Sequence, residues 1–279
     1  MQQQIVIDVT PGRYVPPEVA EEAKELEREV YFGALVAKSF LTESEMAEYE
    51  NLIQQFVTED DEPVDNIFSE KQQRLLTGLL YSSWKPLAAN GAPRSFFATA
   101  NVGLYTRLNP AIAPVAPDVL VSLDVTTPEN AEAKQHRSYM AWEFGKLPEI
   151  VIEIVSNESG AELGAKLLKY ARIGVRYYAV FDPDAYISED ILQVFELTPA
   201  GYRPRPDFAL PETGLRLALW PGEFEGWQLT WLRWLDADGN MLLTAEKNAA
   251  TERRAAQADE RAAQLAEKLR ALGVDPDAL

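Results

Sequence analysis

The alternation of apolar and polar positions divides the chain into helical ends and a strand-rich middle. Pro17 to Phe32 and Leu41 to Thr58 carry apolar residues at helical spacing among many acids, and Thr42 with Glu45 three positions on forms a capping box. Asn66 to Trp84 places Ile67, Leu75, Leu76, Leu79 and Leu80 near one helix face, the pattern of a core helix. After a loop rich in Pro, Gly and Asn, Phe96 to Arg107 and Val119 to Val125 read as strands from their β-branched and aromatic content. Glu149-Ile-Val-Ile-Glu-Ile-Val155 is a largely apolar run, as in a strand buried on both faces. A helix over Ala161 to Ile173 stops at Gly174, and Tyr177 to Phe181 forms the next strand. Strand, helix, strand predicts a parallel crossover.

Ile191 to Leu197 and Leu215 to Leu219 are further strand candidates, and a Trp-rich segment, residues 220–234, follows with no readable function. From Thr244 to Leu272 the chain is rich in Ala, Glu and Arg, with Ala255, Ala258, Ala262, Leu265, Leu269 and Leu272 in steps of three and four. That seam suits either a helix lying on its own domain or a coiled coil joining two copies into a homodimer. The expected organisation is an acidic helical extension over 1–62, a main α/β domain over 63–235 and an amphipathic helix over 244–272.

Composition narrows the chemistry. The chain has no cysteine, which excludes disulfides, thiolate nucleophiles and Cys-ligated metal centres. Its single histidine, His136, lies in a polar loop and rules out paired-His metal sites. Gly160 to Lys166 superficially resembles a phosphate loop, but the spacing is wrong and no Ser or Thr follows the lysine. The first residues lack the basic and apolar parts of a signal peptide, and no stretch is apolar enough to span a bilayer, so a soluble cytoplasmic protein is expected. The formal net charge of -18 opposes a general attraction for nucleic acid. Residues 1–62 carry 15 acids and 4 bases, a net of -11, which leaves -7 for the rest.

Glu153 is the most informative position, because an unpaired carboxylate in a buried strand costs several kcal/mol by order of magnitude. A structural ion pair with Lys or Arg is one way to compensate it. A ligand site is another, since open α/β sheets bind at the carboxyl ends of their strands. Asp118, at the start of a neighbouring strand, could join it in holding a hard divalent ion through oxygen. Lys166 and Lys169 on the following helix could supply an ammonium beside the carboxylates.

Pro117-Asp118, Glu149-Ile-Val-Ile-Glu153-Ile-Val-Ser156, Lys166, Lys-Tyr170, Gly-Val175 and Tyr-Tyr-Ala-Val-Phe-Asp-Pro183 together resemble the Uma-type restriction endonuclease family of cyanobacteria over about residues 64 to 220. That resemblance implies a PD-(D/E)xK nuclease core: a restriction-endonuclease-like central mixed β-sheet flanked by helices, with Mg2+, or alternatively Mn2+, as cofactor and DNA as substrate. In that pattern the lysine normally stands two residues after the second acid, where this chain has Val155; Lys166 resembles a migrated lysine. Glu162 stands where relatives carry an aspartate, and Glu70 is the candidate for an additional acid from an early core helix. The expected centre is Asp118, Glu153 and the Ile154 carbonyl on the metal, with Lys166 orienting a water. A catalytically silent nuclease-fold scaffold and a small-molecule phosphoester hydrolase are the alternatives.

Overall fold

The computed structural model describes residues 17–38, 40–59, 66–157 and 161–271. The helices are α1 (Pro17–Val36), α2 (Glu43–Ile53), α3 (Ile67–Ser83), α4 (Leu167–Ile173) and α5 (Ala245–Ala271). The strands of the main sheet are β1 (Phe96–Ala100), β3 (Val119–Leu123), β5 (Ile150–Ile154), β6 (Tyr177–Phe181), β7 (Leu192–Thr198) and β8 (Gly201–Pro204), in the order β1-β3-β5-β6-β7-β8. β5 and β6 run parallel and their other neighbours antiparallel, so the sheet is mixed, as expected. β9 (Ala209–Leu210), β10 (Leu215–Phe224) and β11 (Trp227–Leu235) form a second sheet, and β2 (Leu104–Tyr105) pairs with β4 (Tyr139–Met140).

The two faces of β5 explain its apolar sequence. Ile150, Ile152 and Ile154 join Leu75, Leu76, Leu79 and Leu80 of α3 in one core, while Val151 and Val155 pack with Tyr170 of α4 and Tyr178 in a second. Alternation along the strand places Glu153 with Val151 and Val155, under α4. Both neighbouring strands keep β5 off the sheet edge, so each of its side chains is removed from water.

Several boundaries differ from the sequence expectation. The single strand anticipated over Phe96 to Arg107 breaks after Ala100, where Asn101 takes a left-handed φ of 53°; the chain then leaves the main sheet and β2 pairs with β4. The helix anticipated over Leu41 to Thr58 is shorter, Glu43–Ile53, with the Thr42–Glu45 capping box present. Gly174 takes the left-handed cap at φ 101°. The acidic turn from Glu59 to Pro63 lies largely outside the described residues, as do Gly160 and Leu272.

The Trp-rich segment has a structural account. It completes β10 and all of β11, a long hairpin laid over α3. Trp231 donates to the Gly222 carbonyl at 3.1 Å, Trp234 to the Leu76 carbonyl at 3.0 Å, and Phe68 stacks on Trp231. Gln72 spans both polar groups of Leu232, at 3.0 and 2.9 Å. α3 therefore lies between the two sheets, with Gln72 bonded to β11 and Gln73 to Asp118 just before β3.

α1 and α2 pack through Phe32, Leu52, Ile53 and Phe56 against Tyr105, Leu108 and Met140. Glu25, Glu27, Glu43, Glu48 and Glu50 are exposed, and Glu29 pairs with Arg107 at 2.7 Å. α5 is tied to the end of α3 by Asn248, which donates to the Ser82 carbonyl at 2.9 Å. Its seam residues Ala255, Ala258, Ala262 and Leu265 are exposed. Among the described residues, no helix is long and apolar enough to cross a membrane.

Candidate active site

The β3–β5 ladder ends at Val119↔Ile152, and beyond it Asp118 replaces backbone pairing with its side chain. One carboxylate oxygen accepts from the Ile154 N–H at 2.6 Å; the other accepts from the Gln73 amide of α3, also at 2.6 Å. Asp118 is thus fixed beside the last residues of β5.

Glu153 projects from β5 to the opposite face of the sheet from Ile152 and is 2 % exposed. Its Oε1 accepts from the Tyr170 hydroxyl at 2.6 Å and its Oε2 from Lys166 Nζ at 2.9 Å. Lys166 Nζ also donates to Glu162 Oε1 at 2.9 Å, so one ammonium bridges two carboxylates. The other Glu162 oxygen is buried without a hydrogen-bond partner.

A π-turn creates this bridge. Glu162–Lys166 is wound as a single π-helical turn ahead of α4, with the Lys166 N–H donating to the Ala161 carbonyl at 2.9 Å. The wider turn brings positions 162 and 166 onto one side; such turns are frequent at functional sites. The Tyr178 hydroxyl of β6 donates to the Glu162 carbonyl at 2.9 Å and pins the turn to the sheet. Tyr170, one turn further along α4, points back to Glu153 because i and i+4 share a helix face.

The electrostatics follow from burial. Burial pushes the Glu153 carboxyl up to about 7; Lys166 pulls it down, while the nearby charge of Asp118 adds to the rise. For Lys166 burial works against the charge, but the charge of Glu153 and the bonds to Glu153 and Glu162 outweigh it and raise its pKa. Lys166 is therefore a fixed cation near neutrality, suited to orienting a group and offsetting negative charge. The phenol of Tyr170 is raised as well, by burial and then by Glu153, so it stays a donor.

A family model described as "Uma2: Putative restriction endonuclease" matches residues 52–230, more than half of the chain. The chain belongs to the Uma2 family. A search of curated proteins returned no match. For this Uma2 protein, the structure brings Asp118, Glu153, Lys166 and Glu162 into one neighbourhood at the carboxyl end of β5. It does not bring Glu70 there. Glu70 is one of the solvent-facing residues of α3, 48 % exposed, and pairs with Arg74 at 2.8 Å. The residue of α3 that reaches the site is Gln73, three positions on, because the inward stripe of that helix runs through Ser69, Gln72, Gln73 and Leu76.

Gln73 and Tyr170 are the contributors that residue-type reasoning overlooked. A signal for Gln73 was present: a glutamine on the same stripe as Leu76 and Leu80 must find a buried partner. Asp182 of the Phe-Asp-Pro183 stretch lies apart from this chemistry. It is buried and accepts from the Tyr186, Ile187 and Ser188 N–H groups at 2.9, 2.9 and 3.1 Å, which shapes the loop after β6. His136 sits in a short 3-10 turn, its Nδ1 facing the Asn130 carbonyl at 2.5 Å.

Proposed function

We propose that this Uma2 protein is a metal-dependent endonuclease that hydrolyses phosphodiester bonds of DNA. The observation that carries this reading is the buried Glu153 bridged by Lys166 to Glu162, with Asp118 beside it, in a chain of a restriction endonuclease family. The donor set fits a hard divalent ion. Asp118, Glu153 and the Ile154 carbonyl supply oxygen only, and Mg2+ commonly binds through one or two carboxylates while keeping several waters. Crowding of Asp118 on Glu153, which raises the latter, is a cost that a bound cation would relieve. Mg2+, or Mn2+ in its place, would polarise the phosphoryl oxygen and offset charge in the transition state.

The residues of the chain do the rest. Asp118 and Glu153 are held rigid by Gln73, the Ile154 N–H and Tyr170, so little reorganisation accompanies reaction. Lys166 keeps its proton and orients a water whose oxygen forms the new bond to phosphorus as the ester P–O bond breaks. That water gives up a proton to solvent, and the leaving oxygen takes one from solvent.

A second reading, a catalytically silent scaffold, is favoured by two observations. Each oxygen of Asp118 and Glu153 already accepts a bond from the protein, and no cluster of three metal-ligating side chains occurs among the described residues. Cleavage of supercoiled plasmid and labelled single-stranded DNA in Mg2+ or Mn2+ separates the two. A nuclease loses about 10²–10³-fold of its rate in Lys166→Ala, as for removal of one preorganised donor. Folded protein that cleaves nothing, and whose melting temperature neither ion raises, is the scaffold. Pairing of two copies along the exposed seam of α5 belongs to this proposal too, and sedimentation of the full chain measures it.

A further inference from the structure

A groove of about 1160 Å³ opens along the flank of α4, the helix that starts at the candidate site. One wall is the flank of α4, the helix that continues directly from Lys166; another is the segment 112–115, which leads into Pro117-Asp118. Four cations line it, Arg107, Lys146, Lys169 and Arg172, and among the described residues no carboxylate does. In a chain of net charge -18 that segregation runs against composition. Arg107 is engaged by Glu29, and Lys146 by Glu149 and the Leu123 carbonyl. Lys169 and Arg172 are exposed and have no carboxylate partner among the described residues. Between the cations the lining is apolar, with Leu104, Leu108, Ile112 and Trp142.

The geometry points to this groove as a binding track for single-stranded polynucleotide, with Lys169 and Arg172 on its phosphates. This deepens the nuclease reading and rests on it for the nature of the substrate. Phosphate needs cations without competing acids, and unpaired bases bring flat apolar faces suited to the lining between them. A duplex hides those faces within its stack and would present only its backbone. α4 joins the two places, with Lys169 and Arg172 on its later turns and Lys166 at its start.

The test is fluorescence anisotropy of a labelled single-stranded DNA oligonucleotide with full-length protein in EDTA, where no cleavage interferes, over a series of salt concentrations. The Lys169→Glu/Arg172→Glu double variant is compared with wild type and with Arg253→Glu/Arg254→Glu on exposed α5. The expected result is saturable binding by wild type and the α5 variant and at least a tenfold weaker complex for the groove variant. Loss of two phosphate contacts should also flatten the log–log salt slope by roughly 1.4. Equal binding by the groove variant overturns the inference. So does absence of binding by wild type, or equally effective competition by duplex DNA or by polyglutamate. Oligonucleotide binding through the groove with no cleavage in Mg2+ or Mn2+ would support the track while removing the nuclease reading. Cleavage of single strands that is unaffected by the groove substitutions would do the reverse.

Discussion

Replacing Glu153 with glutamine in metal-free protein should remove a specific part of the pH dependence of folding. The carboxyl has an ordinary value of 4.5 and is pushed up to about 7 in the folded chain, burial being the main cause. The folded state therefore holds this proton more tightly than the unfolded state. Between about pH 4.5 and 7 the folded protein carries more protons at this position, so stability falls as pH rises through that window and is level above it. The gap of about 2.5 pH units, at ~1.4 kcal/mol each, corresponds to roughly 3 kcal/mol. Because Glu153 is 2 % exposed, solvent screens little of this. Glutamine keeps an oxygen for Tyr170 or Lys166 but does not titrate, and Lys166 retains Glu162. Urea denaturation of both proteins in EDTA from pH 4.5 to 8 measures the effect. Contributions from every other group largely cancel in the difference between the two curves. Wild type should lose roughly 3 kcal/mol relative to Glu153→Gln between the ends of the range. Parallel curves would refute the claim that burial holds this carboxyl above its ordinary value.

Gln72→Ala should destabilise by roughly 2–4 kcal/mol, because it leaves both the N–H and the carbonyl of Leu232 unpaired in a buried place, yet calorimetry should record that loss without a change in cleavage rate. Gln73→Ala should do the opposite: about 1 kcal/mol of stability, with a larger fall in cleavage as Asp118 loses one of its tethers. Gly222→Ala drives a Cβ into the Trp220 ring, so the β10–β11 hairpin must shift, and a loss of about 1–3 kcal/mol by denaturant titration is expected.

The sequence alone carried the class of fold. The run Glu149 to Val155 has the pattern of a strand covered on both faces, and the helix stop at Gly174 with Tyr177 to Phe181 beyond it predicted the parallel neighbour that β6 is. Residue chemistry together with the family resemblance singled out Asp118, Glu153 and Lys166, and each belongs to a local pattern that periodicity places on or beside a strand or helix. What chain-local patterns could not supply was which distant side chains meet. Glu70 and Gln73 lie on one helix three residues apart, and only the way α3 docks between two sheets turns Gln73 to Asp118 and Glu70 to Arg74. The π-turn was equally hidden, because Glu162 to Lys166 fits an ordinary helix by propensity; in the fold, Tyr178 and Glu153 bond the turn from neighbouring strands. The groove along α4 has the same origin: Arg107, Lys146, Lys169 and Arg172 are scattered in sequence and come together only because β2, the loop before β5 and α4 pack side by side. Periodicity is a property of neighbours along the chain, whereas charge compensation and ligand geometry depend on neighbours in space.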